Sequence, residues 1–262
     1  MQDRGNSGKT WEVITVTYNS VEPIKKYWEV QIPEFIKWTV VDNASSDETV
    51  EECEDRGANV IRLNQNVGFS SANNVALSQS SAQFVCFANP DVSINFNDLL
   101  QIQEFLERKE CIVAPQLQND DGSTQPNGRN SPYLISKIAN RLPFRTRLRD
   151  DYLITPAEIG VHNVSWVTGA VVIGRRTTFM ELNGWDERFF LYYEDTDLCL
   201  RAQGRGIPVL LMNEFRWLHG WKRETKSLRL QPWKFEINSG FKFFKLYPKF
   251  LSWPKSELDD NG

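Results

Sequence analysis

Apolar, largely β-branched runs alternate with longer amphipathic stretches through the first half of the chain. Val13-Ile14-Thr15-Val16-Thr17 stops at Tyr18-Asn19-Ser20 and predicts a strand. A helical segment follows, with Pro23 in its first turn, where a missing N–H is tolerated. Thr39-Val40-Val41 predicts a second strand, ending in Asp42-Asn43. Ser45 and Glu48 have capping-box spacing and open a helix through about Arg56. Residues 59–63 predict a third strand. Gly68 then leads into a helix over 69–79. A fourth strand over 83–88 ends abruptly in Asn89-Pro90-Asp91, a helix covers 96–109, and 111–115 closes this half. Repeated strand–helix units predict a largely parallel sheet with helices on both faces. Ligands of such sheets bind beyond the carboxyl ends of the strands. Thr17, Asn19, Asp42, Asn66, Asn89 and Asp91 are therefore expected on one rim.

The pattern weakens between 116 and 164, where Arg141, Arg145, Arg147 and Arg149 make a basic, poorly periodic stretch. A loop that orders over the site is expected there. Regularity resumes with a strand over 164–174 and a helix over 177–182, stopped by Asn183-Gly184. A helix carrying three carboxylates in its first turn, Glu194, Asp195 and Asp197, comes next. Acidic residues suit a helix N-terminus whatever their function, because free N–H groups and the dipole favour negative charge there. Asp197 has i,i+4 spacing to Arg201, which predicts a surface bridge. A strand over 208–212 and a helical segment over 228–250 complete the chain.

A length of 262 residues fits one large α/β domain, alone or with a helical appendage. The net charge of −4 gives no general basic footprint, so nucleic acid is not an expected partner. The four cysteines lie apart in apolar or helical patterns, which predicts reduced, buried thiols and a cytoplasmic protein; no signal peptide or membrane span is visible. Gly8-Lys9-Thr10 echoes a phosphate loop, but Asp3 stands where that motif needs glycine, and the segment precedes the first strand. Residues 221–255 hold nine Lys/Arg against two Glu, interleaved with aromatics. Either the aromatics pack the helix onto the domain or the segment rests on an anionic membrane surface.

A lone carboxylate leaving a strand and a carboxylate pair opening a later helix suit a metal-assisted transfer enzyme. One acid would hold a cation on a phosphate and another would remove a proton from the acceptor. Val-Ile-Thr-Val-Thr-Tyr-Asn-Ser (13–20), Val-Val-Asp-Asn-Ala-Ser-Ser-Asp (40–47), Asn-Gln-Asn-Val-Gly-Phe-Ser-Ser-Ala-Asn-Asn (64–74), Ala-Asn-Pro-Asp (88–91), Val-Thr-Gly-Ala (167–170) and the run from Gly184 to Arg201 stand in an order that resembles glycosyltransferase family 2, in its rhamnosyltransferase-like branch. The resemblance implies a GT-A fold, mostly parallel and flanked by helices, over 11–220. Residues 11–116 would form the nucleotide-sugar half and 117–220 the acceptor and catalytic half. A flexible 1–10 would precede this domain and a helical 221–262 would follow it.

The same resemblance implies an inverting transfer of a hexose or deoxyhexose, plausibly rhamnose, from a dTDP- or UDP-sugar to a glycan or lipid-linked glycan. Asp42 then contacts base or ribose, although an Asx turn before Asn43 is the structural alternative. Thr17, Tyr18 and Asn19 adjoin it. Asn66, Gly68 and Asn73 belong near the donor, with the helix start at Gly68 suited to a phosphate. Asn89 stands where many metal-using relatives carry an acid, leaving Asp91 as the carboxylate for Mg²⁺ or Mn²⁺; His219 is the implied second ligand. Asp195 is the implied base, with Glu194 beside it. Trp166, Thr168, Gly169 and Asp186 are the acceptor-side candidates. A binding module that has lost catalysis, and a nucleotidyltransferase, are the alternatives.

Overall fold

The computed structural model describes residues 10–29, 31–142, 144, 146–220 and 230–254. The Gly8-Lys9 segment, Arg145 and the cations between 221 and 229 lie outside these. In chain order the elements are β1 (Trp11–Thr17), α1 (Val21–Tyr27), β2 (Ile36–Asp42), α2 (Thr49–Asp55), β3 (Asn59–Arg62), α3 (Phe69–Gln79), β4 (Phe84–Ala88), β5 (Val92–Ser93), α4 (Phe96–Arg108) and β6 (Ile112–Gln118). Then come β7 (Thr124–Gln125), β8 (Gly128–Arg129), α5 (Leu134–Ala139), α6 (Arg147–Tyr152), β9 (Leu153–Ile154), β10 (Val161–Asn163), β11 (Trp166–Val167) and β12 (Val171–Arg175). The series ends with α7 (Arg176–Glu181), α8 (Glu194–Gly204), β13 (Val209–His219) and α9 (Leu230–Leu246).

The main sheet runs β10-β13-β6-β12-β4-β1-β2-β3. It is parallel from β4 to β3 and between β6 and β13, as the strand–helix alternation predicts. β12 enters antiparallel between β4 and β6, so the sheet is mixed. Its strands are apolar on consecutive residues because both faces are covered. Val13, Phe84 and Cys86 pack towards α1 and α4, whereas Ile14, Val85 and Phe87 pack towards α3, α7 and α8. All four cysteines are free and buried. Burial pushes the Cys53 and Cys199 thiols up to about 12, so they are packing groups.

Several expectations change. Ser45 and Glu48 do not make a capping box; α2 opens after Glu48 without a side-chain cap, because the Ser45 hydroxyl is turned onto Asp42. The stretch expected as a loop carries α5, α6 and the small sheet β11-β8-β9. The strand expected to end at Met212 shifts register before Arg216 and continues to His219. Asp197 and Arg201 do pair, at 2.7 Å, but Asp197 is 1% exposed and also accepts from the Tyr247 hydroxyl. That bridge is therefore part of the interior and ties the C-terminal segment to α8. Phe243 and Phe250 pack with Phe189 in a separate apolar cluster, so half of the aromatic pattern serves packing. Phe241 and Trp253 face outward, 76% and 68% exposed.

Candidate active site

The parallel register sets Thr17 opposite Asp42 at the ends of β1 and β2. The Thr17 hydroxyl donates to Asp42 Oδ1 at 3.0 Å, and the Ser45 N–H and hydroxyl also donate to that carboxylate. Asp42 is 3% exposed and organises its own turn. Asn19, left-handed at φ 51°, accepts from the Ser46 N–H, while its own N–H donates to the Ser45 hydroxyl. Tyr18 is half exposed beside them. Asn43 makes the next link: its amide donates to the Gly68 carbonyl and accepts from the Val67 N–H. Asn66 accepts from the Gly68 N–H. Thr17, Tyr18, Asn19, Asp42, Asn66 and Gly68 thus form one connected rim.

Gly68 sits at φ 89°, ψ 171°, a region open essentially to glycine alone. A Cβ there would lie 2.6 Å from the Phe190 carbonyl oxygen, which also accepts from the Phe69 N–H. The close approach that glycine permits is thus to the chain just before the acid pair. Asn73 donates to the Phe69 carbonyl within its own helix. Its neighbour Asn74 does the longer-range work, exchanging hydrogen bonds with the Trp185 N–H and carbonyl.

At the end of β4 the Asn89 N–H donates to the Ala170 carbonyl, fastening this turn to β12. The extension of β13 sets His219 opposite Val92, and His219 Nε2 then lies 3.4 Å from Asp91 Oδ1. Gln125 spends its NH₂ on the His219 carbonyl and on Asn119, so its Oε1 accepts from His219 Nδ1 at 2.7 Å. Nε2 and the carboxylate therefore face each other, a pairing satisfied by a proton or by a shared cation. Among the described residues no third His, Cys, Asp or Glu joins them. The pair offers one oxygen and one nitrogen donor and would fit a divalent cation that takes its other ligands from elsewhere.

The acid pair opens α8 after two left-handed tyrosines, Tyr192 at φ 69° and Tyr193 at φ 71°. Such strain in bulky residues persists only where the surroundings hold it. Here Ser239 of α9 donates to the Leu191 carbonyl, and Phe243 packs on the Tyr193 ring. Asp195 accepts from the Gly169 N–H at 2.9 Å through Oδ2, and from the Thr196 N–H and hydroxyl through Oδ1. Glu194 is 5% exposed and its Oε2 has no hydrogen-bond partner. Burial, and then the neighbouring Asp195 charge, raise its carboxyl well above the usual range. Asp186 is turned onto Arg188, which holds it below the usual range against the opposing effect of burial. It shapes its turn.

Asp195 and Glu194 line a cavity of about 680 Å³ roofed by α5 and α9. Trp166 lines it too, its ring N–H donating to the Asn130 carbonyl. Thr168 lies beside it, bonded through its N–H to the Asn127 carbonyl. Lys137 of α5, not foreseen from sequence, stands over the Tyr193 ring at 3.9 Å. Burial pushes its ammonium down to about 7, with Asp195 opposing and Arg129 and Arg141 reinforcing. Its only sequence signal was its place in the weakly patterned region 116–164. Asn43 and Asn74 lay inside quoted motifs, next to residues given their roles. Thr17, Asp42, Asn66, Gly68, Asn89 and Asp91 lie outside this cavity's lining.

A parallel four-strand half with a polar rim, an antiparallel insertion and an acid pair opening a helix define a GT-A glycosyltransferase. The chain belongs to glycosyl transferase family 2, whose family model matches residues 12–164. It is 26% identical over 205 residues to the low-salt glycan biosynthesis hexosyltransferase Agl10 of Haloferax volcanii, a match covering 75% of this chain and 62% of that protein. It is 27% identical over 233 residues to the N-acetylglucosaminyl-diphospho-decaprenol L-rhamnosyltransferase of Mycobacterium tuberculosis, covering 79% of this chain and 75% of that one. Among solved structures, GalNAc-T7 with UDP, GalNAc and Mn²⁺ shares the fold, with a TM-score of 0.57 at 16% identity over 82% of this chain and 44% of that one.

Proposed function

We propose that this glycosyltransferase works by inversion, moving a hexose or deoxyhexose such as rhamnose from a dTDP- or UDP-sugar to a glycan or lipid-linked glycan in surface polysaccharide synthesis. The observation that carries the reading is Asp195: an accepting carboxylate at the floor of a cavity, steadied by the Gly169 and Thr196 donors, next to a buried carboxyl whose charged form is disfavoured. In the reaction Asp195 takes the acceptor's hydroxyl proton and that oxygen bonds to the anomeric carbon. The bond to the diphosphate breaks on the opposite face and its electron pair leaves with the nucleotide. Burial disfavours the charged form of Glu194, which leaves the base role to its neighbour. The fixed donors on Asp195 limit its rotamers and aim it.

Asp91 and His219 would hold a Mg²⁺ or Mn²⁺ ion, which would supply positive charge to the leaving diphosphate. The relatives that act on hexoses, rhamnose and diphospho-lipid acceptors, and a fold neighbour with UDP and Mn²⁺, support these choices. Among the described residues no helix is long and apolar enough to cross a membrane. The outward Trp233, Phe241 and Trp253, with Lys242, Lys245 and Lys249, support a peripheral contact with an anionic surface. Product release from a panel of nucleotide sugars, with and without Mn²⁺, tests the reading. A metal-independent release, or release with retained configuration, would correct the mechanism; none at all would remove the function.

A further inference from the structure

β7 sets Gln125 against His219, 94 residues away in the chain. Both side chains are buried. Gln125 grips the histidine twice: its Nε2 donates to the His219 carbonyl at 2.8 Å, and its Oε1 lies 2.7 Å from His219 Nδ1. The amide cannot be reversed. A main-chain carbonyl only accepts, so the atom beside it must be the NH₂. Asn119 repeats the constraint. Its own NH₂ faces the Ser123 hydroxyl and carbonyl, which leaves its Oδ1 to accept from Gln125 at 2.8 Å. Gln116 pins the strand from the other side, donating to the Gln125 carbonyl at 2.6 Å and to Asn127 Oδ1 at 2.7 Å.

A fixed oxygen at Nδ1 decides which nitrogen of the neutral His219 ring carries the proton. It is Nδ1, so Nε2 keeps the lone pair, 3.4 Å from Asp91 Oδ1. Two acceptors face each other across that gap, which costs free energy unless something positive joins them. With the proton on Nε2 instead, histidine and carboxylate would close on each other as donor and acceptor, and the nitrogen would have no lone pair for a metal. His162, the other of the chain's two histidines, has the reverse arrangement: its Nε2 lies 3.0 Å from the Glu158 carbonyl, which can only accept. The two imidazoles are thus held in opposite tautomers.

We propose that Gln125 is a positioning residue for the cation: by holding the His219 proton on Nδ1 it presents the Nε2 lone pair beside Asp91 and keeps the pair open to a divalent metal. The proposal rests on Asp91 and His219 being the cation ligands. Gln125 acts through the histidine alone, as the partner that orients a metal-binding ring and fixes its tautomer.

The test reads the proton directly. Imidazole ¹⁵N spectra are recorded in chelator at alkaline pH, where histidine is neutral, with His162→Gln to assign the signals. His219 should show a protonated Nδ1 and a bare Nε2, and His162 the reverse. A protonated Nε2 on wild-type His219 overturns the proposal before any variant is made at Gln125. In Gln125→Met the acceptor is gone, and the proton should move to Nε2, where Asp91 accepts it. Mn²⁺ alone, titrated by water proton relaxation, should then bind about 10–100-fold more weakly than to wild type, the usual cost of losing the partner of a metal-binding histidine. Gln125→Glu keeps an oxygen at Nδ1 and should keep both the Nδ1 proton and most of the Mn²⁺ affinity; it gives a second reading if Gln125→Met does not fold. Melting curves establish which variants are native. A folded Gln125→Met with the wild-type tautomer or the wild-type affinity, or a folded Gln125→Glu with the proton on Nε2, overturns the role given to Gln125. Asp91→Ala separates that role from the cation reading: unchanged Mn²⁺ affinity there removes the cation site, while the ¹⁵N spectra still show whether Gln125 holds the proton.

Discussion

The strand-end rim and the cavity over Asp195 meet near Gly68, yet they are built in opposite ways. The rim is made from residues at the ends of adjacent parallel strands. Thr17, Asp42 and Ser45 satisfy one another, and Asn43 ties them to Gly68. The cavity is made from α5, α8 and α9, which are spread over about a hundred residues of chain, and its floor keeps a polar atom without a partner, Glu194 Oε2. On the proposed function, the self-satisfied rim is preorganised for the nucleotide, and the cavity with its unpartnered Glu194 Oε2 and its two left-handed tyrosines is left for the acceptor.

The sharpest way to break this division is Asp195→Asn. Transfer should fall by about 10²–10⁴-fold, the usual contribution of a general base, with donor affinity unchanged. Single-turnover rates measured alongside donor titration check it; a loss of both together would mean the two regions do not act separately. Gly68→Ala attacks the seam. The added Cβ meets the Phe190 carbonyl and a glycine-only conformation is lost, so stability should fall by about 2–4 kcal/mol. Urea denaturation reads this, and a cost below about 0.5 kcal/mol would show that the seam relaxes freely.

Asp91→Ala acts on the rim alone. With Mn²⁺ present, donor affinity should drop by about 10–100-fold, while without metal wild type and variant should converge. Calorimetry in the two conditions decides; equal affinities in Mn²⁺ remove Asp91 from the cation site.

The smallest effect belongs to Glu194→Gln. Burial makes native Glu194 hold its proton to higher pH than the unfolded chain, which releases it above about pH 4.5, its ordinary value. Its raised folded pKa therefore stabilises the wild type at low pH, and that stability is lost as pH rises towards the folded value. The glutamine variant has no such loss. It should melt a few degrees above wild type near pH 8 and level with it near pH 4, with only a small cost in rate. A variant that melts lower at every pH would show that the carboxyl has a hydrogen bond worth keeping.

Much of the rim could be read in the chain. Apolar runs that stop at Thr17, at Asp42 and shortly before Asp91 mark strand ends, and parallel strands align those ends without any further information. Individual partners could not be read there: Asn73 and Asn74 are adjacent and chemically identical, and only helix phase decides that Asn74 reaches Trp185 while Asn73 turns back on Phe69. The cavity was legible only through its acid pair. Lys137 and Arg129 sit in short elements with no apolar period, so nothing local marks them as facing Asp195.

Local pattern, then, determined the strand–helix order, the parallel half, the free thiols and the acid pair at a helix start, because each follows from side-chain periodicity or from chemistry within a few residues. Tertiary structure alone decided the insertion of β12, the continuation of β13 that carries His219 to Asp91, and the roof of α5 and α9 over Asp195. These join residues that lie far apart in the chain. Such contacts form only when packing beats the entropy of closing long loops, and no short window of sequence carries that balance.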